Sequence, residues 1–252
     1  MYARLLGPLV EPRPKAGLTK GWQGRLSVCL LCLSVFVVLL VDRPVSGQPT
    51  GTLRIYLARH GETDWNAERR LQGRTDTPLN STGRQQAAKL AERLKGVRLD
   101  AVYSSTLSRS RETAEIARGD VPMKSLPGLT ERNHGKFEGK LVDGSDPATE
   151  QEYRQRRRAP EDELDGGESL NQFYERVRTT FGDIRSQQAS GTILIVGHAI
   201  TNQMILRALF GLTLEQATSI RQVNDEFYLI ELDAGNPPRL WKLITEANLG
   251  DL

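Results

Sequence analysis

The chain has 252 residues, and 38% of them are hydrophobic, so it is long enough to bury one sizeable core. Its formal net charge is +3, but five basic residues and only one acidic residue precede residue 42. Residues 42–252 therefore carry a formal charge of −1. Because this part is not basic, we expect no nucleic-acid partner. Both cysteines, Cys29 and Cys32, also precede residue 42, which excludes a thiol nucleophile or a zinc finger from the remainder.

An apolar segment at residues 26–41 (LSVCLLCLSVFVVLLV) is the first predicted element, between a basic leader at residues 1–25 and a linker at residues 42–52. Its roughly 16 residues are slightly too few for a membrane-spanning helix and slightly too many for the core of a signal peptide. A cleaved signal and a retained anchor therefore both stay open, with a buried core helix as the third alternative. Because positive charges precede the segment, the positive-inside rule predicts an extracytoplasmic location for the domain at residues 53–252.

Strand and helix patterns alternate after the linker. Residues 53–58 form a β-prone run, and residues 81–95 have the apolar spacing of a helix, with Ser81 as the predicted N-cap. Further strands are predicted at 100–104, 192–196, 226–232 and 239–244, and further helices at 108–117, 168–188 and 201–210. This order predicts an α/β fold, a three-layer α/β/α sandwich with a mostly parallel central sheet. His60 and His198 each follow a predicted strand, where ligand sites of open α/β sheets form.

Five short motifs occur in order along the predicted domain. They are Arg59-His60-Gly61-Glu62 with Asn66 and Gln72-Gly73-Arg74 downstream, Tyr103 to Ala114 with Arg109, Glu131 with Gly135 and Phe137-Glu138-Gly139, Gly166-Gly167-Glu168-Ser169, and Gly197-His198. Over about residues 53–232 these motifs resemble the histidine phosphatase superfamily, and in particular its phosphatase branch. The resemblance implies a phosphoglycerate mutase-like fold.

The residues of these motifs suit attack on a phosphate monoester. Such a substrate is a dianion, so fixed positive charge must neutralise its oxygens before a nucleophile can approach phosphorus. Arg59 and Arg109 suit this role, because guanidinium stays charged and donates bidentately to phosphate. His60 must be neutral to attack, and nearby arginines favour the neutral form because like charge disfavours imidazolium.

The resemblance implies a role for each site residue. His60 would form a phosphohistidine, Glu131 would protonate the leaving group and then deprotonate the attacking water, and His198 would donate to the phosphoryl group. The residues that would bind the substrate are Arg59, Asn66, Gln72, Gly73 and Arg109. Because arginines and histidines neutralise the phosphate charge, we expect neither a metal nor another cofactor.

Four features leave alternatives open. His134 lies either in the pocket or on a surface loop, and Arg74 is a candidate third phosphate contact. Residues 154–158 (RQRRR) form either a solvated helix end or a lid that reads the substrate. Ala199 and Asn202 depart from the glycine and arginine that often follow the second histidine in the family.

Three functions are compatible with the motifs. The first is a phosphatase of small phosphomonoesters, the second a bisphosphoglycerate-dependent phosphoglycerate mutase, and the third a non-catalytic domain that binds a phosphorylated ligand. The mutases of the family carry a longer insertion before the helix at 168–188, so the short segment at 140–165 favours hydrolysis. The pair Glu131-Arg132, by contrast, resembles the mutase pattern. We therefore predict a metal-independent phosphoric monoester hydrolase with a small phosphorylated substrate.

Overall fold

One six-stranded sheet organises residues 51–244, the part of the chain that this computed structural model describes. Its strands are β1 (Leu53–Arg59), β2 (Ala101–Ser105), β3 (Met123–Leu126), β4 (Gly191–Gly197), β5 (Glu226–Leu232) and β6 (Arg239–Ile244). They lie in the order β3-β2-β4-β1-β5-β6; the first four are parallel, whereas β5 pairs antiparallel with both β1 and β6. The predicted mostly parallel sheet is confirmed, while the leader, the apolar segment and nearly all of the linker lie outside the described residues.

Helices cover both faces of this sheet. They are α1 (Asp64–Ala67), α2 (Ser81–Arg93), α3 (Ser108–Ala117), α4 (Pro147–Arg156), α5 (Leu170–Gln187), α6 (Ala199–Phe210) and α7 (Leu214–Ser219). Leu194 and Val196 of β4 pack against α2 and α3, whereas Ile193 and Ile195 pack against α5 and α6, because successive strand residues face opposite sides. Each such buried side chain stabilises the fold by about 1.5–3 kcal/mol. The predicted three-layer sandwich is therefore confirmed.

Side-chain caps determine where the helices begin. The Asn80 side chain accepts from the Gly83 N–H at 2.8 Å, so Asn80, and not the predicted Ser81, is the N-cap of α2. Ser169 and Gln172 form a capping box at the start of α5. The helix predicted from residue 168 thus begins at Leu170.

A connecting segment, which we define as residues 127–169, joins β3 to α5. The amino-acid pattern does not predict α4 within it, because this helix is polar and lacks an apolar stripe. Phe137, Tyr153 and Leu164 nevertheless form a buried cluster of their own, separate from the two clusters of the sheet. The connecting segment therefore has its own small core.

Candidate active site

Two histidines meet at the carboxyl ends of β1 and β4. His60 follows Arg59, the last residue of β1, and His198 follows Gly197, the last residue of β4. Arg59 pairs with Gly197 in the parallel register, and the His60 N–H donates to the Gly197 carbonyl at 3.1 Å. The two imidazole rings are consequently 5.1 Å apart between centroids. Strand register thus brings both predicted catalytic histidines into one site.

His60 is oriented by the residue that follows it. Its Nδ1 lies 2.7 Å from the Gly61 carbonyl oxygen, which can only accept a hydrogen bond. The proton therefore sits on Nδ1, and Nε2 carries the free lone pair. Burial, followed by the charges of Arg109 and Arg59, holds the pKa of His60 well below its ordinary value. The neutral, nucleophilic form is thus the stable one at neutral pH.

Two arginines, the buried Arg109 and the partly buried Arg59, flank the histidines. Arg109 is 1% exposed, and its Nη1 and Nη2 donate to the carbonyls of Thr75 and Gly73 at 2.9 and 2.7 Å. Arg59 donates from Nη1 to the Gln222 carbonyl at 2.9 Å. Burial lowers the pKa of Arg59 and lowers that of Arg109 to about 10, which leaves both groups charged at neutral pH. The Nε of each arginine is buried and has no acceptor among the described residues.

His198 adds a third such nitrogen. Its Nε2 lies 2.7 Å from the Ser105 hydroxyl, whereas its Nδ1 is buried without a partner in residues 51–244. Burial, followed by the charge of Arg109, holds the pKa of His198 well below its ordinary value. We call Arg59, His60, Ser105, Arg109 and His198 the strand-end cluster. Within residues 51–244, three of its buried nitrogens lack a hydrogen-bond partner, and each suits donation to an anion.

The carboxylate of Glu131, a residue of the connecting segment, contacts the start of α6. Its Oε1 accepts from the N–H and the hydroxyl of Thr201, at 3.1 and 3.2 Å, and from the Arg132 N–H at 3.1 Å. Its Oε2 accepts one such bond, from the Ile200 N–H at 3.1 Å. The negative charge of Glu131 raises the pKa of Arg109 and so opposes the effect of burial on this guanidinium. Oε2, with fewer donors, is the oxygen better placed to exchange a proton.

The remaining predicted substrate-binding residues have contacts within the protein. Asn66 completes the capping box of α1, with its Oδ1 accepting from the Thr63 N–H at 3.2 Å. Gln72 is 8% exposed, and the Gly73 carbonyl holds Arg109 as described. Gly73 therefore orients a guanidinium, while direct substrate binding by these three residues stays a prediction.

Glu138 fastens the loop that holds Arg109. Its carboxylate accepts from the N–H groups of Arg74, Thr75 and His134 at 2.8, 2.9 and 3.0 Å. This joins the loop at residues 73–75 to the connecting segment. The motif Phe137-Glu138-Gly139 marks the residue in the sequence, but nothing in the motif indicates these partners.

A salt bridge between Glu168 and Arg176 supports the main chain at Glu131. The Nε and Nη2 of Arg176 each donate to the Glu168 carboxylate at 2.8 Å. Its Nη1 also donates to the carbonyls of Gly128 and Thr130 at 2.9 and 3.1 Å, immediately before Glu131. A sequence motif marks Glu168, whereas no sequence signal marks Arg176.

Three residues left open by the sequence have defined surroundings. His134 is 3% exposed with its Nδ1 3.2 Å from the Tyr153 hydroxyl, so the surface-loop alternative is wrong. The Arg74 side chain is 42% exposed and lies 3.4 Å from Glu168, so it pairs with a carboxylate. Asn202 donates to the Ala58 carbonyl at 3.0 Å and to the Gln222 side chain at 2.8 Å, and thereby braces the residue that holds Arg59.

A cavity of about 720 Å³ opens beside the start of α6. Its lining includes Arg132, Arg157, Arg158, Tyr153, Leu214 and Ile200. Ile200, one of these lining residues, also donates its N–H to Glu131. The run at 154–158 is therefore divided: Arg154 and Arg156 form salt bridges with nearby acids, as expected of a solvated helix end, while Arg157 and Arg158 face the cavity.

Known proteins resemble this chain in sequence and in fold. The protein named probable phosphoglycerate mutase GpmB from Shigella boydii is 37% identical over 180 residues, which cover 68% of this chain and 81% of GpmB. The structure of Bacillus stearothermophilus YhfR is 33% identical, with a TM-score of 0.65 over 79% of this chain and 98% of YhfR. A phosphoserine phosphatase mutant from Entamoeba histolytica, solved with phosphoserine, is 26% identical, with a TM-score of 0.64 over 75% of this chain and 94% of that enzyme. The same enzyme was also solved with 3-phosphoglyceric acid.

These comparisons correct the predicted location. Neither the relatives nor the described residues support an exported or membrane-anchored enzyme, and the extracytoplasmic prediction is wrong. In residues 51–244 no helix is long and apolar enough to cross a membrane. The apolar segment at 26–41, on which the prediction depended, lies outside the described residues and outside the region matched by a family model.

That family model describes the histidine phosphatase superfamily (branch 1) and matches residues 55–243. The matched region begins within β1 and ends within β6, so it contains the whole strand-end cluster and the connecting segment. Within residues 51–244, no group of three or more His, Cys, Asp or Glu side chains could hold a metal ion. The chain belongs to the histidine phosphatase superfamily.

Proposed function

We propose that this protein is a metal-independent phosphomonoester hydrolase that acts through a phosphohistidine on His60, and that residues 53–252 form its catalytic domain. The observation that carries the proposal is the set of three buried nitrogens that have no partner in the part of the chain that the structure describes: Arg59 Nε, Arg109 Nε and His198 Nδ1. Buried polar groups are rarely left unpaired, and two guanidinium groups beside two neutral imidazoles suit a phosphate dianion.

The reaction has two displacements at phosphorus. First, the Nε2 lone pair of His60 forms the P–N bond, the ester P–O bond breaks, and the leaving oxygen takes a proton from Glu131. Second, water gives a proton to the Glu131 carboxylate and attacks phosphorus, the P–N bond breaks, and inorganic phosphate leaves. Arg59, Arg109 and His198 stabilise the charge on the phosphoryl oxygens in both steps.

The surroundings of Glu131 support a small phosphorylated substrate. The cavity lined by Ile200, whose N–H donates to Glu131 Oε2, is large enough for a small organic group. Arg157 and Arg158 give its lining a positive charge. The Entamoeba histolytica relative, whose structures hold phosphoserine and 3-phosphoglyceric acid, makes phosphorylated carboxylic acids the first substrates to test.

The phosphoglycerate mutase is the second candidate, because GpmB carries that name. A mutase must return the phosphoryl group to a second hydroxyl of a phosphoglycerate before water reaches the phosphohistidine. Hydrolysis is favoured because the segment at residues 140–165 is short and the cavity is open to solvent.

The test is an assay of the full chain with EDTA against phosphoserine, 3-phosphoglycerate and sugar phosphates. We expect phosphate release without added metal, an acid-labile phosphoenzyme, and loss of both in His60→Ala. His134→Gln is the matched control, since His134 is a buried histidine outside the strand-end cluster. Undiminished turnover by His60→Ala would exclude the mechanism, whereas isomerisation of phosphoglycerate that depends on bisphosphoglycerate would identify the mutase.

A further inference from the structure

Ser105, the last residue of β2, contacts the ring of His198. Its side chain is fully buried, and its Oγ lies 2.7 Å from His198 Nε2. The same oxygen accepts a hydrogen bond from the Leu107 N–H at 3.2 Å. In residues 51–244 these are the two contacts of the Ser105 hydroxyl. The hydroxyl thus has one fixed donor and one imidazole nitrogen as neighbours.

A second serine fixes Ser105 relative to His198. The Oγ of Ser110 accepts from the Ser105 N–H at 3.0 Å and donates to the Val196 carbonyl at 2.7 Å. Val196 lies in β4, two residues before His198. Because one hydroxyl joins the ends of β2 and β4, the contact between Ser105 and His198 is part of the frame of the sheet.

Counting protons assigns the direction of this contact. A serine hydroxyl has one proton to donate, and the Leu107 N–H can only be a donor to it. If Nε2 of His198 carried the ring proton, the Ser105 oxygen would receive two hydrogen bonds and its own buried proton would have no acceptor. If Nδ1 carries the ring proton, the Ser105 proton goes to Nε2 and every contact of the hydroxyl is satisfied.

We propose that Ser105 is a positioning residue that holds neutral His198 in the tautomer with its proton on Nδ1. The nitrogen that lacks a protein partner then bears a hydrogen, and it donates this hydrogen to the phosphoryl group. The identity of the bound group rests on the function proposed above, whereas the tautomer is a property of the resting protein.

Both histidines then carry their proton on Nδ1, with opposite consequences. In His60 the Gly61 carbonyl takes the Nδ1 proton and Nε2 is free to attack. In His198 the Ser105 hydroxyl covers Nε2 and the Nδ1 proton is free to stabilise charge. One ring is thereby a nucleophile and the other a donor, although the two are only 5.1 Å apart.

The test is nitrogen NMR of the full chain labelled with ¹⁵N-histidine. The chain has three histidines, and the two-bond proton–nitrogen pattern of each ring distinguishes the tautomers. Spectra are recorded at neutral pH with and without inorganic phosphate, and the His60→Ala and His134→Gln variants assign the signals. We expect His198 to be protonated on Nδ1, and added phosphate to shift that nitrogen.

Variants of Ser105 test the cause. Ser105→Ala should move His198 toward the Nε2-protonated form and lower kcat about 10- to 100-fold, as expected when one donor to the transition state is lost. Ser105→Thr keeps the hydroxyl and should restore both. Ser104→Ala is the matched control, because Ser104 is equally buried on the same strand but contacts Ser125, at 2.9 Å. It should leave the tautomer unchanged.

The wild-type spectrum decides the proposal even if Ser105→Ala does not fold. A His198 ring protonated on Nε2 in the wild type would overturn it, as would an unchanged tautomer in folded Ser105→Ala. An Nδ1-protonated His198 in a protein without phosphatase activity would uphold the tautomer and reject the proposed function.

Discussion

The strand-end cluster and the connecting segment place their functional groups by different means. In the cluster, hydrogen bonds between neighbouring strands set where His60 and His198 lie, and the side chains keep nitrogens free of protein partners. In the connecting segment, Glu131 lies outside the sheet, and its main chain is held by the guanidinium of Arg176. Side-chain contacts thus position Glu131 in the connecting segment, whereas backbone hydrogen bonds position the two histidines of the strand-end cluster.

This difference separates two tasks. Neutralising a phosphate requires charges at fixed positions, and a parallel sheet supplies fixed positions at little cost because its register is set by many hydrogen bonds. Accepting a particular leaving group requires a surface that can vary, and a segment with its own small core can change without disturbing the sheet. Perturbing each region should therefore affect different kinetic constants.

Among the variants that compare the two regions, the largest effect is expected from Arg109 in the strand-end cluster. Arg109→Ala should lower kcat/KM by about 10²–10³-fold, because a buried charged donor to the phosphoryl group is lost. Its charge also lowers the pKa of His60, so the acid limb of the pH–rate profile should move to higher pH in the variant. Arg111→Ala, an exposed arginine on the same helix, is the control and should retain activity. Equal activity of both variants would contradict the assignment.

Breaking the support of Glu131 should produce a smaller loss. Arg176→Gln removes the contacts to Glu168 and to the carbonyls before Glu131, and we expect kcat to fall about 10- to 100-fold from misplacement of the proton donor. KM should change little, since the strand-end cluster is intact. Arg178→Gln on the same helix removes only an exposed pair with Glu175 and serves as control. A change confined to KM would show that Arg176 acts on substrate binding.

The same division explains what the sequence could predict. The order of strands and helices, the sandwich, and the meeting of His60 with His198 follow from apolar periodicity and from the rule that parallel strands end at one edge. Contacts within the connecting segment are not periodic. Neither Arg176 nor Gln222 has a local pattern, because each acts on a residue that is distant in the sequence. Arg176 donates to the Gly128 carbonyl, whereas the Gln222 carbonyl accepts from Arg59.

Two sequence predictions failed for identifiable reasons. Ser81 and Asn80 are both good N-caps, and only the geometry shows that Asn80 accepts from the Gly83 N–H. The extracytoplasmic location relied on the composition of residues 26–41, a signal that is independent of the fold of residues 51–244. The proportion of apolar residues alone could not distinguish a cleaved signal, a retained anchor and a buried core helix.

The smallest predicted effect is on stability, and it comes from His134 in the connecting segment. Burial, followed by the charges of Arg132 and Arg157, lowers the pKa of His134 to about 3. In the unfolded chain its pKa is about 6.5. Between these values only the unfolded chain binds the proton, so stability is lost as the pH falls below 6.5. His134 should account for a loss of about 2 kcal/mol between pH 7 and pH 5.

Urea unfolding of the wild type and of His134→Gln at pH 7 and pH 5 measures this contribution. His60 and His198 also have lowered pKa values and add to the loss in both proteins, so the variant should lose less stability by about one histidine's share. At pH 5 and above, the carboxylates of Asp162 and Asp165, whose pKa values are lowered in the folded protein, stay ionised in the folded and the unfolded chain. An identical loss of stability in the two proteins would mean that His134 is protonated in the folded state at pH 5. The connecting segment would then have to rearrange to reduce the repulsion between this histidine and the charges of Arg132 and Arg157.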